Sequence, residues 1–175
     1  ILTEHSASAL GYVTGLQFLP IPFLAPYAGS LADRFPKRRI LMLTQALLGL
    51  NALAMFVLVA SGHAQLWHVF VLAFLTGVVT AFDNPTRQAF VSEMVPLDLV
   101  SNAVGLNSAS FNGARLLGPG IAGLMIAAWG VAPAMAFNAV SFLAVLASLF
   151  LMKPELLTPA PMRKNGKGAV REGLR

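Results

Sequence analysis

The chain has 175 residues, of which 57% are hydrophobic and only 11% carry a charged side chain. A soluble globular domain carries roughly 25% charged residues, so this composition excludes an ordinary water-soluble fold. The net charge of +5 comes from basic residues that flank apolar stretches, which indicates membrane topology rather than nucleic-acid binding. The chain has no cysteine, so it can form neither disulfides nor thiolate metal sites.

Five apolar stretches are each long enough to cross a bilayer as a helix, which takes roughly 20 residues. They are predicted at about residues 9–32, 40–60, 66–82, 103–128 and 133–152. Prolines inside the first stretch predict a kink. We expect the more polar residues 83–102 to form a short amphipathic segment at the membrane interface. The chain is therefore predicted to be an all-α membrane protein, with a transmembrane bundle over residues 1–152 and a linker over residues 153–175.

The distribution of Lys and Arg predicts the orientation of the bundle. Of the 12 basic residues, 11 lie before the second span, after the third span or after the fifth span, and Arg115 is the exception. The opposite connections contain no Lys or Arg, so the basic side is predicted to be cytoplasmic. The linker is therefore cytoplasmic. The first residues show neither an initiating Met nor a signal peptide, and we expect the true N-terminus to be missing.

The strongest motif follows the first span, where residues 29–39 read GSLADRFPKRR. It resembles the signature loop G-x-L-A-D-R-x-G-R-R between helices two and three of the major facilitator superfamily. Proline at position 36 replaces the second glycine of that pattern. The residues that match the pattern are Gly29, Leu31, Ala32, Asp33 and Arg34, and Lys37 and Arg38 match its two basic positions in charge.

Asp33 is a carboxylate at a helix C-terminus, where the helix dipole disfavours it, so another interaction must hold it there. The resemblance implies that Asp33 faces a helix N-terminus in the other half of the transporter and latches the outward-open state. Asp83 and Arg87 are predicted at the same end, and a network joining them to Asp33, Arg34 and Arg38 is sterically plausible. The alternatives are a basic loop that only anchors the inside face and charges that are merely solvated.

The fourth span carries small residues at four-residue spacing, which lets another helix approach closely. Within it a glycine-proline pattern resembles the fifth-helix motif of exporters in the same superfamily, and ordinary close packing is the alternative. Its matching residues are Gly105, Gly118, Pro119 and Gly123.

Arg115 is the only ionisable residue deep within a predicted span, and Asn112 lies one turn before it. An intramembrane charge is costly, so we expect both side chains to face a cavity and bind an anionic or carbonyl-rich substrate. The alternative is a structural arginine that snorkels or caps carbonyls. Gln45, Asn51 and Asn138 are uncharged polar residues within spans, and interhelical hydrogen bonding explains them at least as well as substrate contact.

The resemblance covers essentially the whole chain and implies helices two to six of an N-terminal half, most similar to bacterial enterobactin-exporter-like members. Phe74 stands where many proton-coupled relatives carry arginine, so coupling through that arginine is not supported. We predict part of a secondary exporter of a siderophore, drug-like compound or metabolite in the bacterial plasma (inner) membrane. The first helix and the second half are expected partners, with no cofactor, metal or nucleic acid. A structural polytopic subunit or a membrane-embedded enzyme is the alternative.

Overall fold

The computed structural model describes residues 7–157, and in that range it is built from α-helices joined by short connections. The predicted all-α bundle is confirmed. Of the predicted linker, only residues 153–157 fall within the described range. Two 3-10 turns lie at Leu97–Leu99 and Pro154–Leu156. The helices are α1 (Ala7–Phe18), α2 (Pro20–Arg34), α3 (Lys37–Ala60), α4 (Leu66–Glu93), α5 (Val100–Trp129) and α6 (Val131–Leu151).

The first predicted span is interrupted at Leu19, where α1 ends and α2 begins. The last turn of α1 is intact, because the amide of Leu19 donates to the carbonyl of Gly15 at 2.9 Å. Pro20 and Pro22 have no N–H to donate to the preceding turn, and this explains why the helix breaks here. The two helices still form one apolar stretch, Ser8–Arg34, which is long enough to cross a membrane.

Among the described residues, four stretches are long and apolar enough to span a bilayer: Ser8–Arg34, Lys37–Ala60, Leu66–Glu93 and Val131–Leu151. α5 has 30 residues, which is ample length, but it is not one of these four. Its small and polar residues and Arg115 lower the hydropathy of every long window. The predicted fourth span is thus a long helix that is less apolar than its neighbours.

α4 differs most from the sequence-based prediction. The helix continues past Phe82 to Glu93, so the first part of the predicted interfacial segment is an extension of α4 rather than a separate piece. Pro85 lies inside this extension without ending it. Buried side chains hold the extension against its neighbours at Asp83, Thr86, Phe90, Val91 and Glu93.

The central helix of the bundle is α4, which packs against α1, α2 and α3, while α6 packs against α3. At Gly77, α4 comes so close to α1 that an added Cβ would overlap the backbone carbonyl of Gln17. α3 and α6 meet at Gly49, where an added Cβ would lie 3.0 Å from the Cβ of Phe142. α5 makes fewer contacts and has no buried residue, so it lies at the edge of the bundle.

The outer surface of the bundle is apolar. Leu116, Leu124 and Phe150 are 81%, 73% and 75% exposed, and many other large apolar side chains are exposed with them. Soluble monomers rarely leave large contiguous apolar patches in water. Such a surface is suited to contact with lipid acyl chains and with further helices.

Candidate functional site

Asp83 is the centre of a polar cluster between α3 and α4. One carboxylate oxygen accepts hydrogen bonds from the Thr44 hydroxyl at 2.6 Å and the Gln45 amide at 2.8 Å. The other accepts from Nε and Nη2 of Arg87 at 3.1 and 2.8 Å. Asp83 itself is only 4% exposed. Four donors on one buried carboxylate satisfy both of its oxygens, so the charge is fully compensated within the bundle.

The start of α3 is fastened to two other helices by adjacent residues. Lys37 Nζ lies 2.6 Å from Glu93 Oε1 at the end of α4, and both side chains are largely buried. Arg38 donates from Nε to the carbonyl of Leu149 at 2.6 Å and from Nη2 to that of Phe150 at 2.9 Å. These carbonyls end α6, where a cation also complements the helix dipole. The start of α3 therefore holds the C-terminal ends of α4 and α6 together.

Asp33 and Arg34 are exposed, and within residues 7–157 their side chains form no hydrogen bond or ion pair. Gly29 is beside them on α2, with open space at its Cα. The structure thus joins Asp83 to Arg87 and directs Arg38 to α6, while Asp33 and Arg34 remain outside both sets of contacts.

Asn112 and Arg115 are exposed on α5 and do not face the interior of the described bundle. The Asn112 amide donates to the carbonyl of Ser108 on its own helix at 2.9 Å. The Arg115 guanidinium carbon lies 5.8 Å from the centre of the Phe111 ring, within the range of a cation–π contact. Both side chains are thus available to groups outside residues 7–157.

The glycine-proline pattern of α5 also lacks a partner helix in the described part of the chain. Pro119 lies inside the helix, one residue after Gly118. A Cβ built on Gly105, Gly118 or Gly123 would meet nothing within 4 Å. If another helix packs closely against this face of α5, that helix lies outside the described residues.

Hydrogen bonds between helices account for two of the three polar residues noted within the spans. Gln45 binds Asp83, and the Asn51 amide donates to Thr76 Oγ1 at 2.6 Å and to the carbonyl of Leu72 at 2.9 Å. Asn138 is exposed.

Sequence reasoning missed Thr44 as a member of the polar cluster and Glu93 as the partner of Lys37. Glu93 could have been found, because Asp83, Thr86, Phe90 and Glu93 follow the 3-4-3 spacing of one helix face. Thr44 has no such signal, since its partner lies 39 residues away in sequence.

Comparison with known proteins agrees with the resemblance to the major facilitator superfamily. The family described as transmembrane secretion effector matches residues 1–175. The chain is 31% identical over 151 residues to the staphyloferrin A transporter of Staphylococcus aureus, covering 85% of this chain and 38% of that protein. It is 33% identical over 156 residues to the multidrug resistance protein MdtG of Escherichia coli O1:K1, covering 87% and 36%.

A third relative is multidrug resistance protein 2 of Bacillus subtilis, 28% identical over 152 residues, which cover 86% of this chain and 36% of that protein. The chain thus spans less than two fifths of the length of these relatives. Another similar protein from B. subtilis is named as a transporter of the major facilitator type. The described chain is accordingly an integral protein of the bacterial plasma (inner) membrane, and it belongs to the transmembrane secretion effector family of the major facilitator superfamily.

Proposed function

We propose that this chain is helices two to six of the N-terminal half of a secondary transporter that exports a small molecule by alternating access. Alternating access requires a half-bundle that rocks as a unit against the other half. The observation that carries the proposal is the fastening of α3 to α4 and α6 through Lys37, Arg38 and Asp83, which makes one end of the bundle a single unit. The proposed substrate is a siderophore, a drug-like compound or a metabolite, and the relatives include a staphyloferrin A transporter and multidrug resistance proteins.

Within this proposal, Asp33 is the contact to the missing half. Its carboxylate is exposed and unpaired in the described residues, and the neighbouring Lys37 and Arg38 are engaged with α4 and α6. A helix N-terminus from the second half would stabilise the carboxylate through its dipole. Breaking that contact favours the inward-open state, because only the outward-open state contains it.

We expect Asp33→Asn in the complete protein to increase the labelling of cysteines in the cytoplasmic vestibule and to reduce efflux of a fluorescent dye such as ethidium. The shift reflects a loss of about 1 kcal/mol from one state, which changes the population ratio roughly fivefold. Asp98→Asn is the matched control, since Asp98 is also an exposed carboxylate and lies in the 3-10 turn that follows the end of α4. Equal labelling in both variants and the parent would show that Asp33 does not stabilise the outward-open state.

Arg115 and Asn112 are proposed to line the substrate cavity that forms when the second half is present. Their exposure supports this assignment, as does the fact that no carboxylate among residues 7–157 pairs with the guanidinium. Bidentate binding of a carboxylate or carbonyl-rich ligand requires the planar guanidinium, which lysine cannot replace.

We therefore expect Arg115→Lys to lower transport of an anionic substrate at least tenfold while the protein remains folded, as judged by its elution as a single species in detergent. Arg115→Leu is expected to abolish that transport. Leu116→Ala is the matched control, because Leu116 is a neighbouring exposed residue on the same helix. Normal transport by Arg115→Leu would show that the arginine has no role in binding.

Because the family and the relatives are transporters, we expect no enzymatic activity. The first helix and the second six-helix half are the proposed partners of this bundle.

A further inference from the structure

An apolar groove runs along the outside of the bundle between α3 and α6. We call it the α3–α6 groove; its walls include Ala46, Leu50, Leu53, Ala139, Leu143 and Leu146. It has a volume of about 390 Å³, and every residue that lines it is apolar. Gly49 on its floor lets the two helices approach closely, so the groove is a shallow channel rather than a gap between helices.

The dimensions of the groove fit one hydrocarbon chain. Its α3 wall extends from Ala46 to Phe56, ten residues or about 15 Å along the helix. The groove begins nine residues, or about 14 Å, after the start of α3 at Lys37, so it can hold the terminal part of a chain that enters from that end. An acyl chain has no polar group to leave unsatisfied there.

Two basic side chains lie beyond one end of the groove, each about 10 Å along its helix from the nearest residue that lines the groove. Arg39 lies one heptad before Ala46, so it points along the same face of α3 to within about 20°. Lys153 follows the end of α6, two residues after Leu151. The hydrogen bonds from Arg38 to the carbonyls of Leu149 and Phe150 place these two helix ends side by side.

Both cations are free to bind an anion. Arg39 and Lys153 are exposed, and within residues 7–157 neither side chain forms a hydrogen bond or an ion pair. Their neighbours Lys37 and Arg38, in contrast, are both engaged. By the distribution of charge this is the cytoplasmic end, where basic pockets between membrane helices bind anionic headgroups.

We propose that the α3–α6 groove binds an anionic phospholipid of the cytoplasmic leaflet, with an acyl chain in the groove and the phosphate on Arg39 and Lys153. The apolar wall supplies contact with any lipid, and the two cations supply the preference for negative charge. The site lies on the surface of α3 and α6 and shares no residue with the proposed substrate cavity on α5. It therefore does not depend on the proposed function.

Native mass spectrometry of the complete protein in detergent tests the site, using phosphatidylglycerol and phosphatidylcholine with identical acyl chains. We expect the parent to bind phosphatidylglycerol roughly tenfold more tightly, as two basic residues near a headgroup allow. Arg39→Gln with Lys153→Gln is expected to bring this ratio close to one while neutral lipid still binds. Arg34→Gln, which removes a cation at the end of α2, is the matched control and should keep the preference.

A second pair of variants tests the groove itself. Ala139→Phe fills the groove and should reduce the binding of both lipids, whereas Ala54→Phe adds the same ring to an exposed part of α3 outside it and should not. Unchanged lipid preference in the Arg39 and Lys153 double variant would overturn the headgroup site. Lipid binding by Ala139→Phe equal to that of the parent, or a dimer of the parent that Ala139→Phe dissociates, would overturn the proposed occupant.

Discussion

Replacing Gly77 by alanine is expected to destabilise the complete protein by about 1–3 kcal/mol, the range measured for overpacked interiors. The reason is local and steric. The new Cβ would overlap the backbone carbonyl of Gln17, and a backbone atom cannot rotate away as a flexible side chain does. α1 must move off α4, and the packing on both sides of the contact is lost. The apparent melting temperature in detergent should fall clearly below that of the parent.

Gly11→Ala is the matched control, because it makes the same change in α1 at a position where an added Cβ meets nothing within 4 Å. Alanine is the better helix former by about 1 kcal/mol, so this variant should be as stable as the parent or slightly more stable. If Gly77→Ala were equally stable, the close crossing of α1 and α4 could not be a determinant of the fold.

Asp83→Asn is expected to cost about 1.5–3 kcal/mol, the range for hydrogen bonds to a charged group. Asparagine has nearly the same shape as aspartate, so no cavity forms. Its amide group, however, turns two N–H donors toward Gln45, Thr44 or Arg87, each of which already donates to this site. The interface between α3 and α4 would then hold a buried donor without an acceptor. The yield of folded protein in detergent and its melting temperature should both fall.

The two members of the Asp83–Arg87 ion pair differ in exposure, and this difference gives a second test. The side chain of Arg87 is 43% exposed and that of Asp83 only 6%, so water can replace the guanidinium but not the carboxylate. We expect Arg87→Gln to be less destabilising than Asp83→Asn, and the double variant to be less destabilising than the sum of the two. Asp98→Asn, an exposed carboxylate, should have no effect. A larger loss in Arg87→Gln than in Asp83→Asn would contradict this description of the cluster.

The sequence was sufficient to predict most helices because the membrane sets their length. The end of α3 at Ala60 and the start of α4 at Leu66 lie where the apolar stretches end and begin. The sequence predicted that α4 ends at Phe82, whereas it continues to Glu93. The polar residues after Phe82 mark where the helix leaves the hydrocarbon, not where it ends.

The candidate site was only partly predictable. Motif spacing selected Lys37, Arg38 and Asp83, which join helices, and Arg87, which pairs with Asp83 within α4. It could not select their partners, since Lys37 and Glu93 are 56 residues apart and Arg38 and Leu149 are 111 apart. Contacts between residues so far apart in sequence depend on how the helices are arranged. The spacing of residues within one helix carries no information about that arrangement. The roles of Asp33 and Arg115 remain predictions.

The extension of α4 gives the bundle a mechanical property. α4 has 28 residues and is about 42 Å long, so it exceeds the hydrocarbon core by roughly 12 Å. Polar contacts attach α3 to it at three levels, Thr76, Asp83 and Glu93, and the first and last are 17 residues or about 26 Å apart along the helix. Two helices joined at a single level could pivot about it, but attachments at separate levels fix the angle between the helices as well as their distance. A rotation of either helix at the cytoplasmic surface therefore rotates the other, and the two helices move as a rigid body.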